Sequence, residues 1–478
     1  MANNDSGILL RGTVDWWSLL IYLLLVLAGW CNIYAAAYDE SHPLIFDLSQ
    51  KYGMQMVWIG VSLVFGLVIM LLDDKYYHIL AIPLYAASLA VLLAVLFVGK
   101  EVHGAKSWIM LGKSIALQPT ELVKITTALA LARTMSTYTF SVKRLTDLLR
   151  VGVIVALPVV IILLQNDTGS AVVYGAFLFV LYREGLASWI YTVLIMVVSL
   201  FVFSFLLAPP VLLGLLLTVC VAAAGLADGE WRSKAVYLAA VAMSTMSIYF
   251  GSRLAGGSGP GLTACMVISA ALSLILVLLY AYRNKVWGVF RYVALFGVSL
   301  LFTQLTDVVF NHMQPHQQER ILHLFGIEND LQGAGFNVNQ SKIAIGSGGF
   351  AGKGFLEGTQ TKYNFVPEQS TDFIFCTVGE EWGFMGSAAI LVLFCILIYR
   401  LMKMGERQQE PFGRIYCYSA AAIFFVHVFI NVGMTIGIMP VIGIPLPFFS
   451  YGGSSMLAFS LLFFIALRLD ASKHKTLM

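Results

Sequence analysis

The amino-acid sequence predicts an all-α polytopic membrane protein with about 14 transmembrane helices, one for each apolar run long enough to cross a bilayer. Of the 478 residues, 59% are hydrophobic and only 12% are charged, and the mean hydropathy is +0.83. Apolar runs of about 20 residues, the length of a membrane-crossing helix, recur from one end of the chain to the other. The net charge of +3 is too small to predict nucleic-acid binding, so we expect no nucleic-acid partner.

The predicted spans form two groups separated by a long polar stretch. The first group lies near residues 16–37, 53–72, 79–98, 121–135, 149–164, 169–182, 188–208, 210–227, 235–251, 261–281 and 287–308. The second group lies near residues 376–401, 414–437 and 453–469. The polar stretch covers residues 309–375, and the whole chain, residues 1–478, is predicted to form a single integral membrane domain.

Lysine and arginine residues in the loops predict which side of the membrane each loop occupies, because basic loops stay on the cytoplasmic side. With the N-terminus inside, 19 of the 29 basic residues are cytoplasmic, among them those of the segment KRLTDLLR and of the tail RLDASKHK. Both termini are therefore predicted to be cytoplasmic. The polar stretch at residues 309–375 is predicted to lie on the outer side.

The basic residues on the outer side are fewer, and most of them lie in two places. Lys51 and Arg253 are isolated; the others are Lys100, Lys106, Lys113 and Lys124 around the second outer loop, and Arg320, Lys342, Lys353 and Lys362 in the polar stretch. One interpretation is ordinary solvated loop charge. The other is a cationic outer cleft that binds an anionic ligand at the membrane surface.

The polar stretch is too long to be a passive connection, since loops of that length in compact proteins are usually functional or disordered. Its segment QSKIAIGSGGFAGKGFLEGTQ contains glycines, which permit tight turns and a close approach of backbone N–H groups to an anion. Asp372 ends the stretch, directly before the apolar residues 373–375. The eight histidines form no HExxH or similar pattern of metal ligands.

Three other outer segments place polar residues at the edge of the membrane. Glu121 and Lys124 are three residues apart on one helical face, which predicts a structural ion pair, with a direct catalytic role as the alternative. Asp167 is placed to cap the helix that follows it. The segment IMPVIGIPLPFFSYGGSS, residues 438–455, is broken by proline and glycine at membrane depth, so we expect it to line the outer cleft.

Six segments, in the same order along the chain, resemble the SEDS family (shape, elongation, division and sporulation) of integral-membrane peptidoglycan polymerases. They are GAKSWIMLGKSIALQPTELVK, QNDTGSA, QQERILHLFG, QSKIAIGSGGFAGKGFLEGTQ, NFVPEQSTDFIFCTVGEEWGF and GIMPVIGIPLPFFSYGGSS. The resemblance implies a SEDS-type helical bundle with a ten-helix core, and residues 190–290 are then expected to form four inserted transmembrane helices. The motifs GKG at residues 352–354 and GTQ at residues 358–360 are similar to those of elongation-type members.

The resemblance implies a glycosyltransferase that joins lipid II disaccharides into glycan strands at the outer face of the bacterial cytoplasmic membrane, for cell elongation and rod shape. The implied reaction inverts the anomeric centre of the donor sugar, releases undecaprenyl pyrophosphate and needs one general base. Asp372 is the implied base, and Glu368 is a weaker candidate. The residues implied in substrate binding are Lys106, Lys113, Arg320, Lys342, Lys353, Lys362, Gln360, Glu368 and Ser450. No organic cofactor is implied, and a divalent cation, Mg²⁺ or Mn²⁺, would suit the leaving group.

The resemblance also implies partners, namely a class B penicillin-binding protein that cross-links the strands and the MreC-type and MreD-type proteins of the elongation complex. The sequence departs from the family pattern where Lys106 and Ser107 replace two arginines and where Asn166 replaces a proline. Three alternatives stay open for the function: a transporter that flips lipid II, a division-type polymerase, and a catalytically silent scaffold of a cell-wall complex.

Overall fold

The computed structural model describes residues 14–38, 45–102, 104–111, 115–207, 289–313, 315–325, 334–363 and 365–472, together with a few single residues between 208 and 288. The chain divides into two compact units, one formed by Met1–Ala187 with Asn329–Met478 and the other by Ser188–Glu328. The predicted spans near 210–227, 235–251 and 261–281 lie outside the described residues apart from those single positions, and so does Lys113.

Helices account for most of the described chain. In order they are α1 (Trp16–Ala36), α2 (Lys51–Leu71), α3 (Asp74–Val98), α4 (Pro119–Met135), α5 (Leu145–Leu164), α6 (Thr168–Val173), α7 (Ala176–Arg183), α8 (Ser188–Leu206), α9 (Val289–His312), α10 (Pro315–Leu324), α11 (Ala334–Ser347), α12 (Thr359–Lys362), α13 (Ile374–Glu406), α14 (Pro411–Thr435) and α15 (Gly453–Ser472). Nine of these described helices are long and apolar enough to cross a membrane: α1, α2, α3, α5, α8, α9, α13, α14 and α15. The predicted polytopic helical fold is confirmed.

The second unit contains α8, α9 and α10. Helices α8 and α9 pack against each other, and Phe205 at the end of α8 connects them to the segment that follows α9. Its ring lies 5.0 Å from that of Phe310 and 5.4 Å from that of Phe325 (centroid to centroid). Aromatic contacts of this kind add packing energy where a bilayer offers no hydrophobic driving force between helices.

At the centre of the first unit lie α14 and α15, two helices that are buried along almost their whole length. Small residues at positions 420–422 of α14 let its neighbours approach closely, as is typical of helix contacts in membranes. Tyr22 of α1 stacks on Phe463 of α15 and donates or accepts a hydrogen bond with Ser460 (3.0 Å). The helices around this centre, such as α2 and α3, expose many leucine, valine and isoleucine side chains, as lipid-facing helices do.

The connection before α4 differs from the polar loop that the sequence predicts. It contains three short strands, β1 (Lys100–Val102), β2 (Ala105–Leu111) and β3 (Ile115–Leu117), in an antiparallel sheet of order β1-β2-β3. Lys100 pairs with Trp108, and Ile109 pairs with Leu117. Strand pairing satisfies part of the backbone polar groups of this segment, and the N–H of Lys106 donates to Gln165 O outside it.

One further difference concerns a helix: the predicted span near 169–182 is broken into α6 and α7 at Tyr174 and Gly175. In the polar stretch, α11 ends at Ser347 and covers only the first residues of the glycine-containing segment 340–360. The glycines after Ser347 lie in turns and irregular backbone, as the sequence predicts.

Candidate active site

Asp372 lies at the junction between the polar stretch and α13, two residues before the helix begins. It is half-buried, and its backbone carbonyl accepts a hydrogen bond from Asn431 Nδ2 at 2.8 Å. Gly443 approaches its carboxylate so closely that a β-carbon on Gly443 would lie 3.4 Å from Asp372 Oδ2. Gly443 has φ +69°, a conformation that glycine adopts without strain. The carboxylate therefore faces the broken segment at residues 438–455.

That broken segment is tied to the residues just before Asp372 by a set of short hydrogen bonds. Ser450 Oγ donates to the carbonyl of Thr371 at 2.6 Å and accepts from the backbone N–H of Leu446 at 2.8 Å. The N–H of Tyr451 donates to the carbonyl of Ser370 at 2.8 Å. Ser450 is buried and belongs to the frame of the site, and the substrate contact suggested for it stays a prediction.

A polar cavity of about 810 Å³ lies next to this frame. Its walls are formed by the end of α1, the start of α2 and residues 361–370, and its lining residues are Ala35, Ala36, Ala37, Tyr38, Gln50, Lys51, Thr361, Lys362, Tyr363, Val366, Pro367, Glu368, Gln369 and Ser370. The side-chain amide of Gln369 holds two walls together, because Nε2 donates to Ala36 O at 2.9 Å and to Thr361 O at 2.7 Å. The volume is in the range of small-molecule binding sites.

The cavity brings together two predicted site residues and one that the sequence analysis set aside. Lys362 and Glu368 both line it. Lys51, treated above as an isolated basic residue, lines the same cavity, and its Nζ donates to Ser370 Oγ at 2.8 Å. Ser370 is two residues from Asp372, so Lys51 contacts the segment that carries the carboxylate, across 319 residues of sequence. In the sequence, only its predicted place on the outer side, at the start of a span, points to this role.

Lys353 has a different environment from the one predicted. Its Nζ lies 2.7 Å from Glu380 Oε1 and 2.7 Å from Thr359 Oγ1. The Glu380 carboxylate also accepts the backbone N–H groups of Gln360 and Thr361, both at 2.9 Å. The GKG and GTQ motifs therefore meet around one buried carboxylate, and Lys353 holds the loop that carries Lys362 instead of lining the cavity.

The other predicted site residues lie on several elements. Lys106 lies on β2, where its N–H donates to Gln165 O at 2.9 Å. Lys342 is exposed on α11, and its side chain lies against Gly437, directly before the broken segment, so closely that a β-carbon on Gly437 would overlap Lys342 Nζ. Gln360 contributes its backbone N–H as described above. Arg320 belongs to α10 in the other unit.

The two structural roles predicted near the start of α4 and α6 are present. Lys124 Nζ lies 2.8 Å from Glu121 Oε2, and both side chains are almost fully buried, at 3% and 2% exposure. Asp167 is the N-cap of α6, with Oδ1 accepting the N–H of Ser170 at 3.0 Å. Lys124 has a second partner that the sequence did not predict, His427 Nε2 at 2.8 Å.

No group of three or more histidine, cysteine, aspartate or glutamate side chains that could hold a metal ion occurs among the described residues. The divalent cation that the resemblance suggests stays a prediction. The cysteines that the structure describes, Cys31, Cys376, Cys395 and Cys417, are free thiols.

Comparison with known proteins gives a family for this fold and site. The model of the FtsW, RodA and SpoVE family, described as cell cycle proteins, matches residues 15–213 and 205–475. The chain belongs to this family. The two matched stretches meet within residues 190–290, where inserted helices are predicted, and that prediction stays open.

Individual relatives agree with the family assignment. The peptidoglycan glycosyltransferase RodA of Treponema pallidum (strain Nichols) is 31% identical over 94% of this chain and 95% of its own length. The peptidoglycan glycosyltransferase MrdB of Escherichia coli (strain K12) is 48% identical over 30% of this chain and 39% of its own length. A probable peptidoglycan glycosyltransferase FtsW of Trichlorobacter lovleyi is 28% identical over 92% of this chain and 89% of its own length.

Solved structures of the family have the same fold. A chain from a peptidoglycan synthase complex that coordinates polymerization and crosslinking superposes with a TM-score of 0.63 at 23% identity, covering 97% of this chain and 99% of that one. The rod shape determining protein RodA of Thermus thermophilus superposes with a TM-score of 0.55 at 22% identity, covering 97% and 98%. The SEDS resemblance of the six segments is thereby confirmed.

Proposed function

We propose that this family member is an elongation-type peptidoglycan glycosyltransferase, which joins lipid II disaccharides into glycan strands. The observation that carries the proposal is the position of Asp372, whose carboxylate faces the broken segment beside a polar cavity lined by Lys51 and Lys362. Membership of the family and the activity named for its RodA and MrdB relatives support this assignment.

In the proposed reaction the 4-hydroxyl of one lipid-linked disaccharide attacks the anomeric carbon of another. The new bond joins that oxygen to the anomeric carbon, the bond from the anomeric carbon to the phosphate breaks, and undecaprenyl pyrophosphate leaves with the bonding electrons. Asp372 accepts the hydroxyl proton as general base. An attack from the face opposite the leaving group converts the α-linked donor into a β-linked strand.

The cavity residues supply the electrostatic part of this mechanism. Two lysine side chains at fixed positions stabilise the negative charge that develops on a departing pyrophosphate. Lys51 is held in place by its hydrogen bond to Ser370. Lys362 belongs to the loop that the Lys353–Glu380 ion pair anchors. A bound Mg²⁺ or Mn²⁺ ion would supply charge stabilisation of the same kind. The polar lining suits sugar and phosphate groups, while the lipid tails remain in the bilayer.

We propose that the cavity opens at the outer face of the bacterial cytoplasmic membrane and that both termini are cytoplasmic. The distribution of basic residues supports this orientation. The structure adds that Ala36 at the cavity and Asp15 lie at opposite ends of α1, a helix of 21 residues that spans about 30 Å. Asp15 contacts Arg400 and Arg407, which places a basic cluster at the end that we assign to the cytoplasm.

We further propose a class B penicillin-binding protein as the partner that cross-links the strands, with MreC-type and MreD-type proteins in the same assembly. The longest outer segment, residues 309–375, is too short to hold a transpeptidase domain, so cross-linking requires another chain. The family chain solved as part of a peptidoglycan synthase complex supports such a pairing. Of the last three spans, α14 and α15 are buried almost along their whole length, so we expect α13, which begins two residues after Asp372 and is mostly exposed, to offer the contact surface.

One assay tests the proposal against the transporter and scaffold alternatives. Purified protein is given fluorescent lipid II, and both strand formation and movement of lipid II across vesicle membranes are measured. We expect strands from the wild type and none from Asp372→Asn, because the amide cannot accept the proton. Translocation without strands would support the transporter, and strand formation by a well-folded Asp372→Asn protein would remove Asp372 from the role of base.

A further inference from the structure

Two polar side chains on one face of α14 contact the backbone of the candidate active site. His427 and Asn431 are four residues apart and therefore neighbours on the helix surface, and both are buried. The side-chain amide of Asn431 uses both of its Nδ2 hydrogens, one toward Asp372 O and one toward Ile444 O, each at 2.8 Å. A single amide thus joins the backbone at Asp372 to the broken segment that the Asp372 carboxylate faces.

His427 makes the corresponding contact one turn away. Its Nδ1 lies 3.1 Å from Pro445 O, and its Nε2 lies 2.8 Å from Lys124 Nζ. A carbonyl oxygen can only accept a hydrogen bond and an ammonium group can only donate one, so Nδ1 carries the proton and Nε2 is the acceptor. His427 is therefore a neutral imidazole in this arrangement, and Lys124 extends the chain of contacts to Glu121.

These contacts pair backbone carbonyl groups of the broken segment. Residues 443–446 are not helical, so their carbonyl groups have no partners within a helix, and at membrane depth unpaired carbonyls are costly. Asn431 and His427 supply donors to two consecutive carbonyls, those of Ile444 and Pro445. Because Asn431 also binds the carbonyl of Asp372, this amide, together with the hydrogen bonds from Ser450 and Tyr451, sets the distance between Gly443 and the Asp372 carboxylate.

We propose that Asn431 and His427 are positioning residues for glycosyl transfer, which together hold Asp372 and residues 443–446 in one geometry. The Glu121–Lys124 pair keeps His427 in the tautomer that binds Pro445. This inference rests on the proposed role of Asp372 as general base. Neither residue is among those that line the cavity, so we expect both to act on the rate of the chemical step and to leave the binding of lipid II nearly unchanged.

The first test replaces Asn431 by leucine, which has a similar size and no donor. We expect kcat to fall on the order of a hundredfold while KM for lipid II changes little, since a shift of about 1 Å at a reacting group has that effect. Asn32→Leu is the matched control, because Asn32 is a buried amide of α1 whose Nδ2 donates to Ala28 O of its own helix at 2.7 Å. It should lower stability without lowering kcat per folded molecule.

The second test uses a pair of variants at His427. Glutamine can donate to Pro445 O and accept from Lys124, whereas leucine can do neither. We expect His427→Leu to lose on the order of tenfold in kcat, the effect of one lost hydrogen bond, and His427→Gln to recover most of it. Equal activity of the two variants would overturn the positioning role. If Asn431→Leu yields no folded protein, this pair decides the question.

A third measurement does not depend on activity. Hydrogen–deuterium exchange should increase in peptides covering residues 368–376 and 439–452 of Asn431→Leu, and not in peptides covering α2. Unchanged exchange there, or a kcat loss no larger than that of Asn32→Leu, would overturn the proposal. An Asp372→Asn protein that still forms strands would instead refute the proposed base, and the exchange result would still report on whether Asn431 holds the two segments together.

Discussion

Lys353 and Glu380 form an ion pair in which Nζ lies 2.7 Å from Oε1 and the glutamate side chain is completely buried. Two backbone N–H groups and one lysine surround that carboxylate, so nearly all of its hydrogen-bonding capacity is used. The lysine is one quarter exposed, and its charge compensates a carboxylate that burial would otherwise penalise strongly. The pair is the anchor of the loop between α11 and the cavity.

We expect Lys353→Met to reduce the stability of the protein, because it leaves the Glu380 carboxylate buried and unpaired. Breaking one side of a buried ion pair costs about 3–5 kcal/mol. The double variant Lys353→Met with Glu380→Gln should recover part of the loss, since no charge remains unpaired. Thermal unfolding in detergent measures the effect. A Lys353→Met protein of normal stability with weaker lipid II binding would instead restore the pyrophosphate role predicted from the sequence.

Lys362 should behave in the opposite way. It is exposed at the end of α12 and lines the cavity, so Lys362→Met should leave the unfolding temperature nearly unchanged. We expect a rise in KM or a fall in kcat of roughly tenfold to a hundredfold, the effect of one lost contact to a charged group. Strand formation at several lipid II concentrations measures both constants. Wild-type kinetics would exclude Lys362 from the substrate cavity.

Lys51 provides the test of the cavity as a whole. Lys51→Met should impair strand formation by about tenfold or more, and Lys51→Arg should retain part of the activity because the positive charge is kept. Lys75→Met is the matched control, since Lys75 is an exposed lysine at the start of α3, beyond the opposite end of α2. If Lys51→Met and Lys75→Met have the same activity, Lys51 does not serve the substrate.

The sequence predicted those parts of the fold that the bilayer itself dictates. A membrane of fixed thickness requires apolar helices of about 20 residues, so α1, α3, α5 and α15 were located to within a few residues. The strands before α4 were missed, because seven residues of β2 have no periodicity that separates them from a loop.

The site was predictable only where a residue's role is local. Asp167 caps its own helix, and Glu121 and Lys124 lie on one helical turn, so spacing alone indicated these contacts. Lys51 reaches Ser370 from the other end of the chain, and no local pattern contains that contact. Glu380 did carry a signal, since a carboxylate within an apolar span requires a partner. The partner, Lys353, is 27 residues away and could not be identified from sequence.

For the Glu121–Lys124 pair, the structure alters a prediction made from the sequence. Either Glu121→Gln or Lys124→Met should be strongly destabilising, by about 3–5 kcal/mol, because each leaves a buried charge without its partner. Exchanging the two residues keeps one charge of each sign, so the sequence alone predicts a partial rescue. In the structure the exchanged carboxylate at position 124 would face His427 Nε2, which is an acceptor, so we expect only weak recovery. Adding His427→Gln to the exchanged pair should improve the recovery, because the glutamine amide can turn to donate. Thermal unfolding of the single variants, of the exchanged pair and of the exchanged pair with His427→Gln tests this order of stability.

The basic cluster at the other end of the bundle predicts a dependence of stability on pH. Asp15, the N-cap of α1, accepts hydrogen bonds from Arg400 and from Arg407, whose Nη2 lies 2.7 Å from Asp15 Oδ2. Burial alone would raise the pKa of Asp15, but these two arginines outweigh it and hold the pKa below its ordinary value of 3.8. A carboxyl group with a lowered pKa contributes stability that is fully present well above pH 3.8 and is lost as the pH falls through the folded-state pKa.

The unfolding temperature should therefore not depend on the titration of Asp15 between about pH 5 and pH 7, and it should fall when the pH is lowered below about 4. Asp15→Asn should be less stable than the wild type at pH 7, because Arg400 and Arg407 lose their shared carboxylate. The difference between the two proteins should shrink as the pH approaches the pKa of Asp15, where the wild type loses the same charge. Glu406→Gln is the control, since Glu406 is an exposed carboxylate near the same end whose contact with Arg183 at 3.4 Å lies in solvent. A difference between wild type and Asp15→Asn that stays constant from pH 7 to pH 3 would show that the charge of Asp15 does not stabilise this cluster.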